Sequence, residues 1–213
     1  IVFGDWSSDV CSSDLATSPK GKPKGRTKKP KGSASVRRGV LEIARAISTT
    51  PYAGDISFNS CSGAKGRTSL YGTEMHCTRY QYGFSMTPER LHEKKRCLSV
   101  INALVGLGEV AGNHSRFLFD FSPESIVLRI TQDPAPRILY CFEEENGQVT
   151  VSELIQKIES GDILAEELYI GGAIAQLPKL QALNPKICVP GVKKAAEECM
   201  KVLEERLSLK QER

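Results

Sequence analysis

This 213-residue chain predicts an α+β fold, with an antiparallel or mixed sheet and few helices. Three observations carry the prediction. The run from Glu74 to Met86 alternates with the period of a strand. Thr87-Pro88-Glu89 then opens a helical pattern, and Asn146-Gly147 sits between two apolar segments as a hairpin turn does. No internal repeat is visible.

Taken in order, Gly4 to Leu15 looks like a sequencing-library adapter translated in frame, and the chain opens on Ile1 rather than Met. The expectation is that residues 1–15, with Trp6 and Cys11, are an artefact and that a natural N-terminal portion is missing. Residues 16–35 are rich in Lys, Pro and Gly with no apolar period, so they predict a disordered basic segment. Val36–Thr50 is ambiguous: Val40, Ile43, Ala44 and Ile47 share helical spacing, whereas Leu41, Ile43, Arg45 and Ile47 alternate. Pro51–Gly72, rich in Gly, Ser and Asn with Lys65-Gly-Arg67 at its tip, reads as a long hairpin or loop.

In the strand that follows, His76, Thr78, Tyr80, Tyr82 and Phe84 share one face; Met75, Cys77, Arg79, Gln81 and Ser85 share the other. Placing the aromatic face in the core turns Arg79 and Gln81 outward. The helix from Thr87 to about Gly106 should bury Leu91, Leu98, Ile101 and Leu104/Val105. Gly106–Arg116 is a loop, Ile126–Thr131 a strand, and Arg137–Glu143 with Gln148–Val151 a hairpin. Val151–Glu159 and Gly191–Leu207 read as amphipathic helices.

Composition and charge bound the function. No apolar run approaches the roughly 20 residues a membrane span needs, and the N-terminus lacks the pattern of a secretory signal. The net charge of +4 is unevenly spread. Residues 1–15 carry three Asp and no base; residues 16–41 carry nine Lys or Arg and no acid. Residues 42–213 carry 20 bases against 22 acids, so the body is nearly neutral and a nucleic-acid site on it must be local. Cys11, Cys61, Cys77, Cys97, Cys141, Cys188 and Cys199 are odd in number and contain no C-x-x-C pair. That pattern argues against zinc or a disulfide framework and for a reducing cytoplasm.

The chemistry suggested is recognition rather than bond breaking. His76 and Cys77 are neighbours on a strand, hence on opposite faces, and cannot form a nucleophile–base pair. Glu143-Glu-Glu145 and Glu166-Glu167 lack metal-ligand spacing and read as solvated charge. Neither a phosphate-binding P-loop nor a dinucleotide fingerprint occurs. By contrast, Gly112-Asn-His-Ser-Arg116 offers a Gly-containing turn with donors suited to phosphate, or an ordinary polar turn. Lys65 and Arg67 suit a grip on a nucleic-acid backbone, or are plain surface charge. Aromatic, cationic and backbone N–H groups along one sheet edge suit a single-stranded nucleic acid.

Together these segments resemble the Cascade backbone subunit of CRISPR systems, in the DevR-type branch of the RAMP superfamily. Arg45-Ala-Ile-Ser-Thr-Thr-Pro-Tyr52 is similar to the segment leading into that family's thumb hairpin, and Glu74-Met-His-Cys-Thr-Arg-Tyr-Gln-Tyr82 to its most recognisable strand. Arg96 to Arg129 resembles its second helix, Gly-rich loop and closing strand. The likeness covers roughly residues 37–175.

The resemblance implies an RRM-like (ferredoxin-like) core with thumb and finger insertions, residues 56–72 forming the thumb. Copies would stack along a guide (CRISPR) RNA, beside other Cascade subunits, and present it to target DNA without catalysis or cofactor. Carried over by position, Asn113, His114, Ser115 and Arg116 would contact RNA from the loop. Lys65 and Arg67 would grip it from the thumb, and Arg79 and Gln81 would line the RNA face. One departure stands out: the family's first, central strand and its finger are not recognisable, and the lysine-rich stretch occupies the finger's place. Residues 36–213 are therefore expected to be an incomplete RRM-like domain, aggregation-prone as residues 16–213. Two competing readings are a related RAMP subunit cleaving target RNA through a divalent ion at Asp55, and a generic RNA-binding protein acting through the 20–38 basic arm.

Overall fold

A computed structural model describes residues 39–61, 69–76, 78–107 and 121–208. The adapter-like start, the basic segment, Lys65, Arg67 and the Gly112–Arg116 loop all lie outside the described residues. The ambiguous segment is strand: β1 (Leu41–Ile43) and β2 (Ile47–Ser48). A hairpin follows, β3 (Gly54–Cys61) and β4 (Ser69–His76), paired in register from Gly54 opposite His76 to Cys61 opposite Ser69.

The single strand expected over 74–86 is three pieces. β4 ends at His76, and β5 (Tyr80–Gln81) and β6 (Phe84–Met86) return along β2 and β1 respectively. The pieces pair with different partners, so the chain must bend between them, and the two-faced alternation is only partly realised. Tyr80, expected in the core, is 42% exposed, while Gln81, expected outward, is half-buried.

The helix expected from Thr87 is also divided. Pro88–Arg90 forms one 3-10 turn, and α1 spans Arg96–Val105. Thr87 makes no side-chain cap bond. Between the two, His92-Glu-Lys-Lys95 has no apolar side chain to bury, so packing supports helix only where Cys97, Ile101 and Val105 recur on one face. Leu91, Leu98 and Leu104 are half-buried rather than core.

The second half holds the core. β7 (Ser125–Arg129) precedes the hairpin β8 (Glu143–Glu145) and β9 (Gln148–Thr150), then α2 (Ser152–Glu159). Asn146 and Gly147 both have positive φ, 52° and 78°, as a tight two-residue hairpin turn requires. β10 (Leu168–Gly172), α3 (Pro178–Leu183), β11 (Cys188–Val189) and α4 (Val192–Arg206) complete the described chain. β10 is the middle of a three-stranded sheet, antiparallel to β7 and parallel to β11.

Two cores lie on the two faces of that sheet. Leu168 and Ile170 of β10 pack with Val151, Leu154 and Ile155 at α2 and with Leu180 of α3. Ile126 and Leu128 of β7 pack with Ile101 and Val105 of α1 and with Ala195, Ala196 and Cys199 of α4. Each fully buried Leu or Ile contributes roughly 1.5–3 kcal/mol, so the apolar stripes fix which face each helix covers. The result is a mixed α+β architecture of small sheets and four α-helices among the described residues.

Side chains tie the N-terminal ribbons onto this body. The Gln81 amide bonds the backbone of Phe142 twice: Nε2 donates to Phe142 O at 2.9 Å, and Oε1 accepts from Phe142 N at 3.1 Å. Tyr140 Oη donates to Arg45 O at 2.8 Å, and Thr49 Oγ1 to Glu144 Oε2 at 2.7 Å.

Candidate nucleic-acid interface

Pairing within the β3–β4 hairpin makes it a two-faced ribbon. Directly opposed residues share a face, so Ile56, Phe58 and Leu70 fall together, with Gly72 opposite Phe58. These three side chains are 65%, 86% and 83% exposed. Ser57, Asn59, Tyr71 and Thr73 lie on the reverse face. There Asn59 Nδ2 donates to Thr73 Oγ1 at 3.1 Å and to Ser57 Oγ at 3.4 Å, bracing the strands across the polar side. Ser60 and Glu74 share the face with Ile56, Phe58 and Leu70, and the large apolar area left exposed among the described residues favours cover by a ligand, a partner or another part of the chain.

Three rings stand at its base. His76 is 4.7 Å from Tyr52 and 6.1 Å from Tyr80, centroid to centroid, the second pair edge-on. His76 Nδ1 lies 3.2 Å from Ala53 O, which fixes the ring. The hydrogen bond to Glu74 holds the Tyr52 phenol above its ordinary pKa, so it remains a neutral donor. Tyr52 and Tyr80 are both largely exposed, and exposed rings of this kind offer faces on which bases can stack.

Of the candidates the sequence nominates, the structure describes Arg79 and Gln81. Arg79 lies just ahead of β5 and is half-exposed; its Nε meets Glu124 Oε2 at 2.9 Å and its Nη1 meets Glu144 Oε1 at 3.2 Å. The bond to Glu124 and the two negative charges raise its pKa further and offset its field. Gln81 spends both polar atoms on Phe142, so its described role is to fasten the ribbon to the body. Lys65, Arg67, Asn113, His114, Ser115 and Arg116 lie outside the described residues.

Sequence alone does not single out Ile56, Phe58 and Tyr52. The alternation Ile56-Ser-Phe58-Asn was the available signal, since a half-polar strand with no core to meet must show its apolar side to something. A second charged cluster surrounds Asp133, which accepts from Ala135 N, Arg137 Nε at 2.7 Å and Arg129 Nη2 at 3.3 Å. The Ala135 N–H foremost, with both guanidinium groups, holds the Asp133 carboxyl down at about 2. This cluster braces the turn after β7. Among the described residues no group of three or more His, Cys, Asp and Glu side chains converges as a metal site, and no helix is long and apolar enough to cross a membrane.

The fold and its ribbon define an α+β protein whose projecting hairpin carries an apolar, aromatic-based face away from the core. No protein-family model matches the chain. A curated protein of Myxococcus xanthus (strain DK1622), described as "CRISPR-associated protein Cas7/Cst2/DevR", is 52% identical over 161 residues, 71% of this chain and 53% of that protein. The chain belongs to this CRISPR-associated family, the DevR-type RAMP proteins, and spans about half the length of the curated relative it matches.

Proposed function

We propose that this protein is a non-catalytic subunit that grips the backbone of a CRISPR guide RNA in a type I Cascade complex in the cytoplasm. It acts with further copies of itself and with other Cascade subunits, and presents the guide to target DNA. Family membership supplies the CRISPR context. The observation that carries the RNA reading is the exposed ribbon face of Ile56, Phe58 and Leu70 above the Tyr52–His76–Tyr80 rings. On this reading the ribbon is the thumb, the body is an RRM-like core, and Phe58 inserts against a base while phosphate is held by nearby cations. Grip on sugar and phosphate is indifferent to sequence, and base pairing then reads the target.

Anisotropy of a labelled single-stranded RNA with the full chain at low salt tests this. Loss of one stacked base costs about 1–3 kcal/mol, so Phe58→Ala should weaken binding roughly 5- to 150-fold for every RNA sequence alike. At 86% exposure the ring gives little to the fold, so the melting temperature should barely move. Unchanged affinity of Phe58→Ala would remove the ribbon from the interface. No binding by the parent chain at low salt would remove the function.

A further inference from the structure

We infer that Arg79 is a phosphate site held shut by Glu124. A passing anion meets an occupied guanidinium, whereas an RNA strand held elsewhere on the protein displaces the Glu124 carboxylate and takes its place. The gate rests on the RNA-gripping role proposed above and adds a regulation to it.

The two carboxylates on Arg79 are not alike. Glu144, on β8, has a side chain 11% exposed that is held from two sides, by Arg79 Nη1 at 3.2 Å and Thr49 Oγ1 at 2.7 Å. The Glu124 side chain is 54% exposed and, among the described residues, is bonded to Arg79 Nε alone, at 2.9 Å. An exposed ion pair is worth a factor of up to about 5 in equilibrium, so a ligand with a few other contacts can break it. Opening is a side-chain rotation, since the Glu124 backbone is pinned where its O accepts from Ala173 N at 3.2 Å. Glu144 is the anchor and Glu124 the part that leaves.

The guanidinium has an unfilled prong for the newcomer. Two parallel N–H groups grip phosphate best, and the Nε–Nη2 edge of an arginine is such a fork. On Arg79 that edge makes one bond, Nε to Glu124, and Nη2 has no partner among the described residues. Phosphate in place of Glu124 gains the second bond while Nη1 stays on Glu144. Arg129 shows the opposite arrangement. Its side chain is 6% exposed, with Nε on Glu167 at 2.7 Å and Nη2 on Asp133 at 3.3 Å, so both prongs are spent and the group is a brace.

Charge keeps the gate closed. One guanidinium between two carboxylates is a net negative group that turns phosphate away; with Glu124 swung into solvent, the Arg79–Glu144 pair is neutral. A single free phosphate brings no further contact to offset the loss of Glu124, so the gate favours polymer over monomer. The place also suits RNA. Arg45 and Arg79 are the only Lys or Arg residues in the described ribbons, 39–61, 69–76 and 78–86, and Arg79 adjoins Tyr80 of the ring group.

Anisotropy of a labelled single-stranded RNA with the full chain at low salt tests the gate. Glu124→Gln should tighten binding about two- to fivefold, the worth of the exposed pair it removes. In an Arg79→Ala background the same substitution should change nothing, because no guanidinium remains to be released. Equal tightening in both backgrounds would overturn the gate, by showing that loss of any negative charge suffices. Affinity unchanged by Glu124→Gln, while the parent binds, would overturn the gate and leave the RNA reading standing. RNA binding by neither protein would overturn both. Where Arg79→Ala fails to fold, the assigned Arg79 Nε–H resonance of the parent decides. RNA should shift it as carboxylate is exchanged for phosphate, and a signal unmoved at saturation would overturn the gate.

Discussion

Replacing Gln81 with alanine strips the Phe142 backbone of two of the bonds that, with those of Tyr140, Thr49 and Arg79, hold the N-terminal ribbons to the body. The lost contacts are Nε2 to Phe142 O at 2.9 Å and Phe142 N to Oε1 at 3.1 Å, in a half-buried setting. Each contributes about 0.5–1.5 kcal/mol net, so the pair is worth roughly 1–3 kcal/mol. For a chain of this size that corresponds to a fall in melting temperature of about 2–12 °C. Native-state hydrogen exchange gives the sharper readout, because the Phe142 amide should lose protection while the amides of α4 keep theirs. RNA affinity, corrected for the folded fraction, should stay constant, since neither polar atom of Gln81 is free to reach a ligand. An unchanged melt with a still-protected Phe142 amide would refute the clamp. A selective loss of RNA affinity with an intact clamp would restore Gln81 to the interface.

Three further outcomes are expected. Gly172→Ala should cost more than about 4 kcal/mol and yield largely insoluble protein, because φ is +90° and the new Cβ falls 2.1 Å from Glu124 O; a soluble variant with a normal denaturation midpoint would refute this. Asp133, held at about 2 against an ordinary 3.8, stabilises the fold above pH 4 and loses that contribution as pH falls from about 4 through 2. The melting-temperature gap between the parent and Asp133→Asn should therefore close across that window, and a constant gap would sink the assignment. Burial pushes the Cys141 and Cys199 thiols up to about 12, so iodoacetamide at pH 8 should leave both unmodified until urea unfolds the chain, as peptide mass spectrometry reports.

What sequence could reveal tracks how each element earns its stability. α2 and α4 present one apolar stripe apiece, and the expected ends fall within one residue of the observed ones. The Asn146-Gly147 turn announces itself through chemistry only a tight hairpin needs. β10 and β11 are not legible in the sequence: Leu168-Tyr-Ile-Gly-Gly172 is covered on both faces, so it shows no alternation and is too short to distinguish from a buried helix turn. The run 74–86 looked like one strand because alternation continues through its bends, and only pairing partners reveal the breaks. For the site, sequence could flag cations but not their company. Arg79 reads as free charge until Glu124 and Glu144, 45 and 65 residues away, are brought beside it. Gln81 reads as a surface donor until Phe142 arrives.

The dry side of the ribbon also has a cost inside a cell. Phe58 and Leu70, almost wholly bare, would make newly made copies adhere to one another or to chaperones whenever supply outruns whatever covers them. Synthesis in step with that covering agent, rather than in excess of it, is then the economical arrangement.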